Sequence, residues 1–114
     1  MADLTDRALA LDPLDFPEVY FLNALAHYNL NNLEVAERSA RKEQRLDVRH
    51  RIPQVHLILA NILTRKHDIA GSTEEMRSYL KFAPTAADAD EVRSRLQENE
   101  KLLSAPPDKQ PEPQ

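Results

Sequence analysis

A chain of 114 residues has room for one domain, and at this size folding buries roughly 60–70% of the unfolded surface. A single glycine, no tryptophan, 41% apolar and 30% charged residues favour long helices over turn-rich sheet. The lack of cysteine excludes disulfides and thiolate metal sites, no apolar run approaches the ~18 residues of a membrane span, and a net charge of −4 argues against a general binder of nucleic acid or acidic membrane.

The first predicted helix covers Asp3 to Leu11, with Leu4, Ala8 and Leu11 at helical spacing and Leu9 beside them. Asp12-Pro13 stops it, because the residue before proline is pushed out of helical geometry. So short a helix needs neighbours. It reads as the second half of a helical pair, so the chain is expected to be a piece of a longer protein. The opening Met1-Ala2-Asp3-Leu4-Thr5-Asp6 lacks the basic start and apolar core of a signal peptide, and the compartment stays open.

Asp15-Phe16-Pro17-Glu18 reads as the next helix start, with an acceptor side chain, proline in the first turn and glutamate three residues on. The helix runs to about Leu30 and is apolar nearly all round, which predicts burial on more than one side. Asn31-Asn32 makes the turn, since asparagine tolerates left-handed geometry and also caps. Leu33, Ala36, Ala40 and Leu46 mark the inner face of the following helix, and Glu34/Arg38 and Glu37/Arg41 are spaced for i,i+4 ion pairs.

A loop from Asp47 to Ile52 leads to Pro53 and a second broadly apolar helix through Val55, Leu57, Ile58, Leu59, Ala60, Ile62 and Leu63. The helix after it starts at Asp68 or at Ser72, where Ser72-Thr73-Glu74-Glu75 fits a capping box and Gly71 weakens the earlier start. Met76, Tyr79, Leu80 and Phe82 carry its buried face until Ala83-Pro84. A last helix is predicted to open at Thr85 as cap, with Val92, Leu96, Leu102 and Leu103 as its sparse apolar stripe among charged residues. Such a face suits a terminal helix that covers a core and keeps it soluble. Residues 104–114, rich in proline, are expected to be disordered.

The two turns lie 36 residues apart, each between paired apolar patterns. Small residues recur with them, Ala24 and Ala60 in the first helices, Ala36 and Ser72 in the second. Tyr20 and His56 hold the large position near each first-helix start, and prolines close units at Asp12-Pro13 and Ala83-Pro84. In these features the chain resembles the tetratricopeptide repeat family, whose units of about 34 residues each pair two helices. It departs from that pattern in using Asn31 and His67 where glycine is usual, and Val48 where the middle unit would end in proline.

The resemblance implies an all-α fold of antiparallel helix–turn–helix repeats, stacked as a short right-handed superhelix over residues 1–103. Its divisions would be a half unit at 1–13, units at 15–48 and 53–84, and a capping helix at 85–103. It further implies a non-catalytic scaffold whose concave face takes a peptide or helix. Carried onto this chain, that face would hold Glu18, Phe21, Leu25, Tyr28, Asn29, Gln54, Leu57, Asn61, Thr64 and Arg65. A subgroup of the family clamps the C-terminal carboxylates of chaperones with lysines, arginine and asparagines. Here those places hold Phe21, Leu22, Leu25 and Ile58, with Asn61 alone of the right type, so an apolar peptide or helix is the better fit. On that reading Phe21→Ala would weaken binding without unfolding the chain.

Other chemistry finds little support. The four histidines form no i,i+4 pair of the kind that holds a metal, and read as packing at His56, turn at His67 and surface at His27 and His50. Phosphate-cradling loops need several glycines, and no nucleophile elbow occurs, so neither cofactor nor catalysis is expected. Asp88/Asp90 and Glu98/Glu100 lie two apart and read as solvated cap residues.

Charge, however, is unevenly placed. Residues 1–37 carry seven acids against Arg7 alone, a balance of −6, whereas residues 38–51 stand at +4 and residues 52–114 at −2. Arg38, Arg41, Lys42 and Arg45 share one helical face, a stripe that reads as solvated surface by default and as a contact for an acidic protein next. RNA binding through Arg38 to Arg51 is the weakest alternative, for want of aromatics and because of the intrahelical glutamates. Self-association through the N-terminal helix is the other alternative, with Leu4, Leu9 and Leu11 exposed and the acidic and basic segments complementary across a symmetric interface.

Overall fold

The computed structural model describes residues 2–11 and 16–105, and for residues 7–11 the backbone only. The described residues are all-helical, in six helices: α1 (Ala2–Leu11), α2 (Pro17–Asn29), α3 (Leu33–Leu46), α4 (Gln54–Arg65), α5 (Ile69–Phe82) and α6 (Ala89–Ser104). Sequence neighbours pack on one another, most extensively α2 on α3 and α4 on α5, and α4 also touches both α2 and α3. The predicted stop at Asp12-Pro13, the cap at Asp15 and the tail at 106–114 lie outside the described residues, as do the side chains of Leu9 and Leu11.

Two short turns set the pairs. After α2, Asn31 takes φ 64° while the Asn32 amide donates to the His27 carbonyl at 2.8 Å and the Leu30 amide to Ala26 at 3.1 Å. After α4, His67 takes φ 63°, with Asp68 to Leu63 at 2.8 Å and Lys66 to Ile62 at 3.0 Å. Each is a left-handed residue followed by an amide reaching five residues back, which satisfies carbonyls that the helix end would orphan. The next helix then starts the same way, Ala36 donating to Asn32 and Ser72 to Asp68, both at 3.0 Å.

The choice between Asp68 and Ser72 resolves to Asp68, whose carboxylate accepts the Gly71 amide at 2.9 Å as an N-cap. Gly71 belongs to that cap instead of weakening it. A Cβ there would lie 2.5 Å from Asp68 Oδ2 and 3.1 Å from Leu63 Cδ1, so its bare backbone makes room for the capping side chain. Ser72, the rival cap, is fully buried inside α5, its hydroxyl donating to the Ala60 carbonyl at 3.0 Å. The last helix starts later than predicted, with Asp88 at its N-cap position and Thr85 in the preceding turn.

Small residues stand where helices touch: Ala24, Ala36, Ala40 and Ala60 are all fully buried. Around them, Val55 and Leu59 join Ala24 and Ala40, Ile58 and Ile62 join Ala36, and Met76, Tyr79 and Val92 join Ala60. Burying one such aliphatic side chain contributes roughly 1.5–3 kcal/mol. Of the apolar residues predicted for α6, Val92 is buried and Leu96 half-buried, but Leu102 and Leu103 are exposed.

The helix α2 departs from the all-round apolar burial expected of it. Leu22 is exposed, and two of its buried residues are polar, Asn23 and His27. His27 is therefore a core residue and not a surface one. Asn23 donates to Asp6 Oδ1 at 2.5 Å and to Thr5 Oγ1 at 2.9 Å, and accepts the Ser39 hydroxyl at 2.5 Å. The His27 Nε2 lies 3.2 Å from both Asp6 oxygens, while Asn32 supplies Nδ2 to its Nδ1 at 3.1 Å. Held by Asn23, and further by His27 against the cost of burial, Asp6 keeps its carboxyl below the usual range. This network ties α1, α2 and α3 together with its buried polar groups paired.

Candidate functional site

Phe21, Leu25 and Tyr28 stand at i, i+4 and i+7 on α2 and share one of its faces. All three are half-buried and pack beside Ala36, Ile58 and Ile62. Phe21 also touches the cluster of Ala24, Ala40, Val55 and Leu59, so it is a seam residue and its truncation would cost stability as well as any contact. Leu57 packs instead with Ala60, Met76, Tyr79 and Val92. The apolar members of the predicted face are thus partly committed to holding α2, α4 and their neighbours together.

The polar members stay at the surface. Glu18, Asn29, Gln54, Thr64 and Arg65 are exposed, and Asn61 is half-buried. The Arg65 guanidinium sits 5.5 Å from the Tyr28 ring centroid and donates to Asn31 Oδ1, fixing the end of α4 against the first turn. Asn61 Oδ1 accepts Arg95 Nη2 at 2.7 Å. Both arginine–asparagine links span 34 residues. The Thr64 hydroxyl bonds the Ala60 carbonyl at 2.8 Å and the Ser72 hydroxyl at 2.7 Å. Beside it, a shallow cleft of about 260 Å³ is lined by Thr64, Met76, Ser94, Arg95, Glu98 and Asn99, bringing α6 to the same edge. Sequence reasoning missed Arg95 here, and no short-range signal could have found it.

The basic stripe also gains a member. Arg38, Arg41 and Arg45 line a cleft of about 370 Å³ with Glu34, Glu37 and Lys66 from the end of α4. Lys42, placed in the stripe by spacing, lies 6.0 Å from the Tyr20 ring and not in this cleft. Of the two predicted i,i+4 ion pairs, Glu37–Arg41 forms at 3.5 Å. Glu34 pairs instead with Lys66 at 2.6 Å, and Lys66 also meets Glu37 at 2.7 Å. Those carboxylates raise the Lys66 pKa, Glu34 foremost.

The loop between α3 and α4 is built on carboxylates. Asp47 is buried and accepts the amides of Arg51 and Ile52, both at 2.9 Å. Burial pushes its pKa up, yet those two amides and the Glu43 carboxyl outweigh it and hold Asp47 below its usual value. Glu43, fully buried one turn earlier, has no hydrogen-bond partner for either oxygen among the described residues. Burial, the facing Asp47 carboxylate and the charge of Glu18 push Glu43 up to about 8. At neutral pH Glu43 therefore carries a proton and shares it with Asp47, which supplies the donor the pair lacks.

His50, in the same loop at φ 52°, stacks on Phe82 with ring centroids 3.8 Å apart. His56 is buried, with Nδ1 3.4 Å from Glu75 Oε2, and Gln44 donates to Glu75 Oε1 at 2.8 Å. Burial opposes ionisation of Glu75, but His56 and Gln44 together keep its pKa low. Asp88 is likewise no free surface group: it accepts the Tyr79 hydroxyl at 2.5 Å. Each of these ionisable groups is engaged in holding helices or loops. No protein-family model matches the chain, and no curated protein matches it either.

Proposed function

We propose that the chain is a tetratricopeptide-like helical repeat that binds an apolar peptide or helix along the face of α2 and α4. The 36-residue recurrence of a left-handed turn residue, an N-terminal carbonyl acceptor and fully buried small residues supports the repeat architecture. The observation carrying the function is the row Phe21, Leu25 and Tyr28, which stays half-exposed although pressed against Ile58 and Ile62. Arg65 over the Tyr28 ring and Asn29 beside it on α2 put a donor and a donor–acceptor at one end of that row, and Gln54 and Asn61 supply exposed or half-buried polar groups on α4.

Because Phe21 also holds the core, the test uses exposed positions. Peptides selected from a random display library on the whole chain should share an apolar anchor. Asn29→Arg with Gln54→Arg should weaken them about tenfold, with the thermal melt unchanged. Failure to enrich any sequence, or enriched peptides indifferent to both substitutions, would remove the groove reading.

Self-association keeps an observation of its own. Leu4 on α1 is 71% exposed, and Phe16 and Leu22 are exposed as well. Light scattering across concentration and salt decides it, a strict monomer throughout being the negative result.

A further inference from the structure

We infer that the cleft between α3 and the end of α4 docks an acidic segment of a partner protein. Its lining shares no residue with the groove on α2 and α4. Within the cleft the two carboxylates are already committed: Glu34 and Glu37 clamp Lys66, and Glu37 also reaches Arg41. Arg38 and Arg45 are left exposed with no ion-pair or hydrogen-bond partner among the described residues. They stand seven residues apart on one helix face, about 10 Å along the axis, with Arg41 between them. The cluster is set in a cleft of about 370 Å³, which desolvates a bound carboxylate more than a flat surface would.

The charge pattern selects the occupant. A carboxylate pairs with the planar guanidinium fork through two hydrogen bonds. Two acids about two helical turns apart on a partner would meet Arg38 and Arg45 together. A continuous phosphate chain would bring charge against Glu34 and Glu37 as well, and no ring lines the cleft to stack a base. The surrounding segment, residues 38–51, stands at +4 within a chain of −4, so an acidic partner is steered to this place and repelled elsewhere.

The test is fluorescence anisotropy with two probes, labelled oligoglutamate and labelled oligouridylate, on the whole chain. Oligoglutamate should bind at low salt and release as salt rises. The exposed double variant Arg38→Ala/Arg45→Ala should lower its affinity about tenfold with an unchanged circular-dichroism spectrum. Lys101→Ala, a cation outside the cleft, and the groove variant Asn29→Arg should leave binding alone. No binding of oligoglutamate, an equal loss with Lys101→Ala, or tighter capture of oligouridylate would each overturn the assignment. Tighter binding with Asn29→Arg and no loss with Arg38→Ala/Arg45→Ala would instead place the acidic ligand on the groove.

Discussion

The pair α2–α3 and the pair α4–α5 share one pattern of turns but place different residues at matched buried positions. Thirty-six residues apart, Asn23 is matched by Leu59, His27 by Leu63, Ala40 by Met76 and Glu43 by Tyr79, and every one of these is buried. At these matched positions the second pair packs by apolar contact, and its own buried polar contacts, His56 with Glu75 and Ser72 with the Ala60 carbonyl, lie elsewhere along α4 and α5. In the first, Asn23 and His27 bond Asp6 and Thr5 on α1 while Ser39 on α3 donates to Asn23, contacts that are directional and costly to break by halves. The shared turn pattern thus accommodates polar or apolar residues at matched buried positions, while small residues hold the close contacts at Ala24, Ala36, Ala60 and Ser72.

The sharpest way to break this contrast is to exchange its central residues. Leu59→Asn should cost about 4 kcal/mol or more, since it removes buried aliphatic volume and strands an amide among Ala24, Ala40 and Val55. The reverse exchange, Asn23→Leu, should cost about 1–3 kcal/mol, because it leaves the Ser39 hydroxyl and Asp6 short of partners while adding apolar burial. Urea unfolding of both variants measures the difference. A neutral or stabilised Asn23→Leu would mean that the polar core of the first pair is energetically idle.

Glu43 and Tyr79 extend the comparison to pH. In the folded chain the Glu43 proton is held to about 8, whereas an unfolded glutamate releases it near 4.5. Between those values unfolding releases a proton, so the stability Glu43 contributes is fully present below about 4.5 and is lost as pH rises through about 8. The slope approaches ~1.4 kcal/mol per pH unit, and the whole effect is of order a few kcal/mol. Asp6, Asp47 and Glu75 have lowered values and act the other way, losing their contribution only as pH falls through the acid range. Stability should therefore peak on the acid side of neutrality. Glu43→Gln, which keeps a donor for Asp47 without a titrating group, should flatten the decline between pH 5 and about 9. Parallel profiles for the two proteins would show that Glu43 is not the group responsible.

How much of this was legible follows from sequence distance. The turns at Asn31 and His67, the buried alanines and the apolar faces of α4 and α5 are written in residue type and short-range period, which physical rules read directly. The approach of Lys66 to Glu34, of Arg65 to Asn31 and of Arg95 to Asn61 depends on how one pair of helices seats on the next. No local pattern carries that. The misreading of His27 as surface has the same origin, because its carboxylate partner Asp6 lies on another helix. Gly71 was misread for a different reason: a helix interior disfavours glycine, but the capping carboxylate of Asp68 needs the space that a side chain would take. The candidate face on α2 and α4 was locatable by period, whereas its division into core and exposed residues required the packing.

The smallest expected effect compares the two turns themselves. Both Asn31 and His67 adopt left-handed backbone, at φ 64° and 63°, where glycine carries no penalty and asparagine a reduced one. Asn31 has a further tie, since its side chain accepts the Arg65 guanidinium; His67 is exposed. His67→Gly should therefore stabilise the chain by about 0.5–1 kcal/mol, the relief of backbone strain exceeding the added freedom of the unfolded chain. Asn31→Gly should be neutral or slightly destabilising, because it trades a tolerated conformation and a link to α4 for a smaller relief. Equal gains at both sites would mean that the Asn31–Arg65 contact contributes nothing. The two turns would then differ in sequence but not in energy.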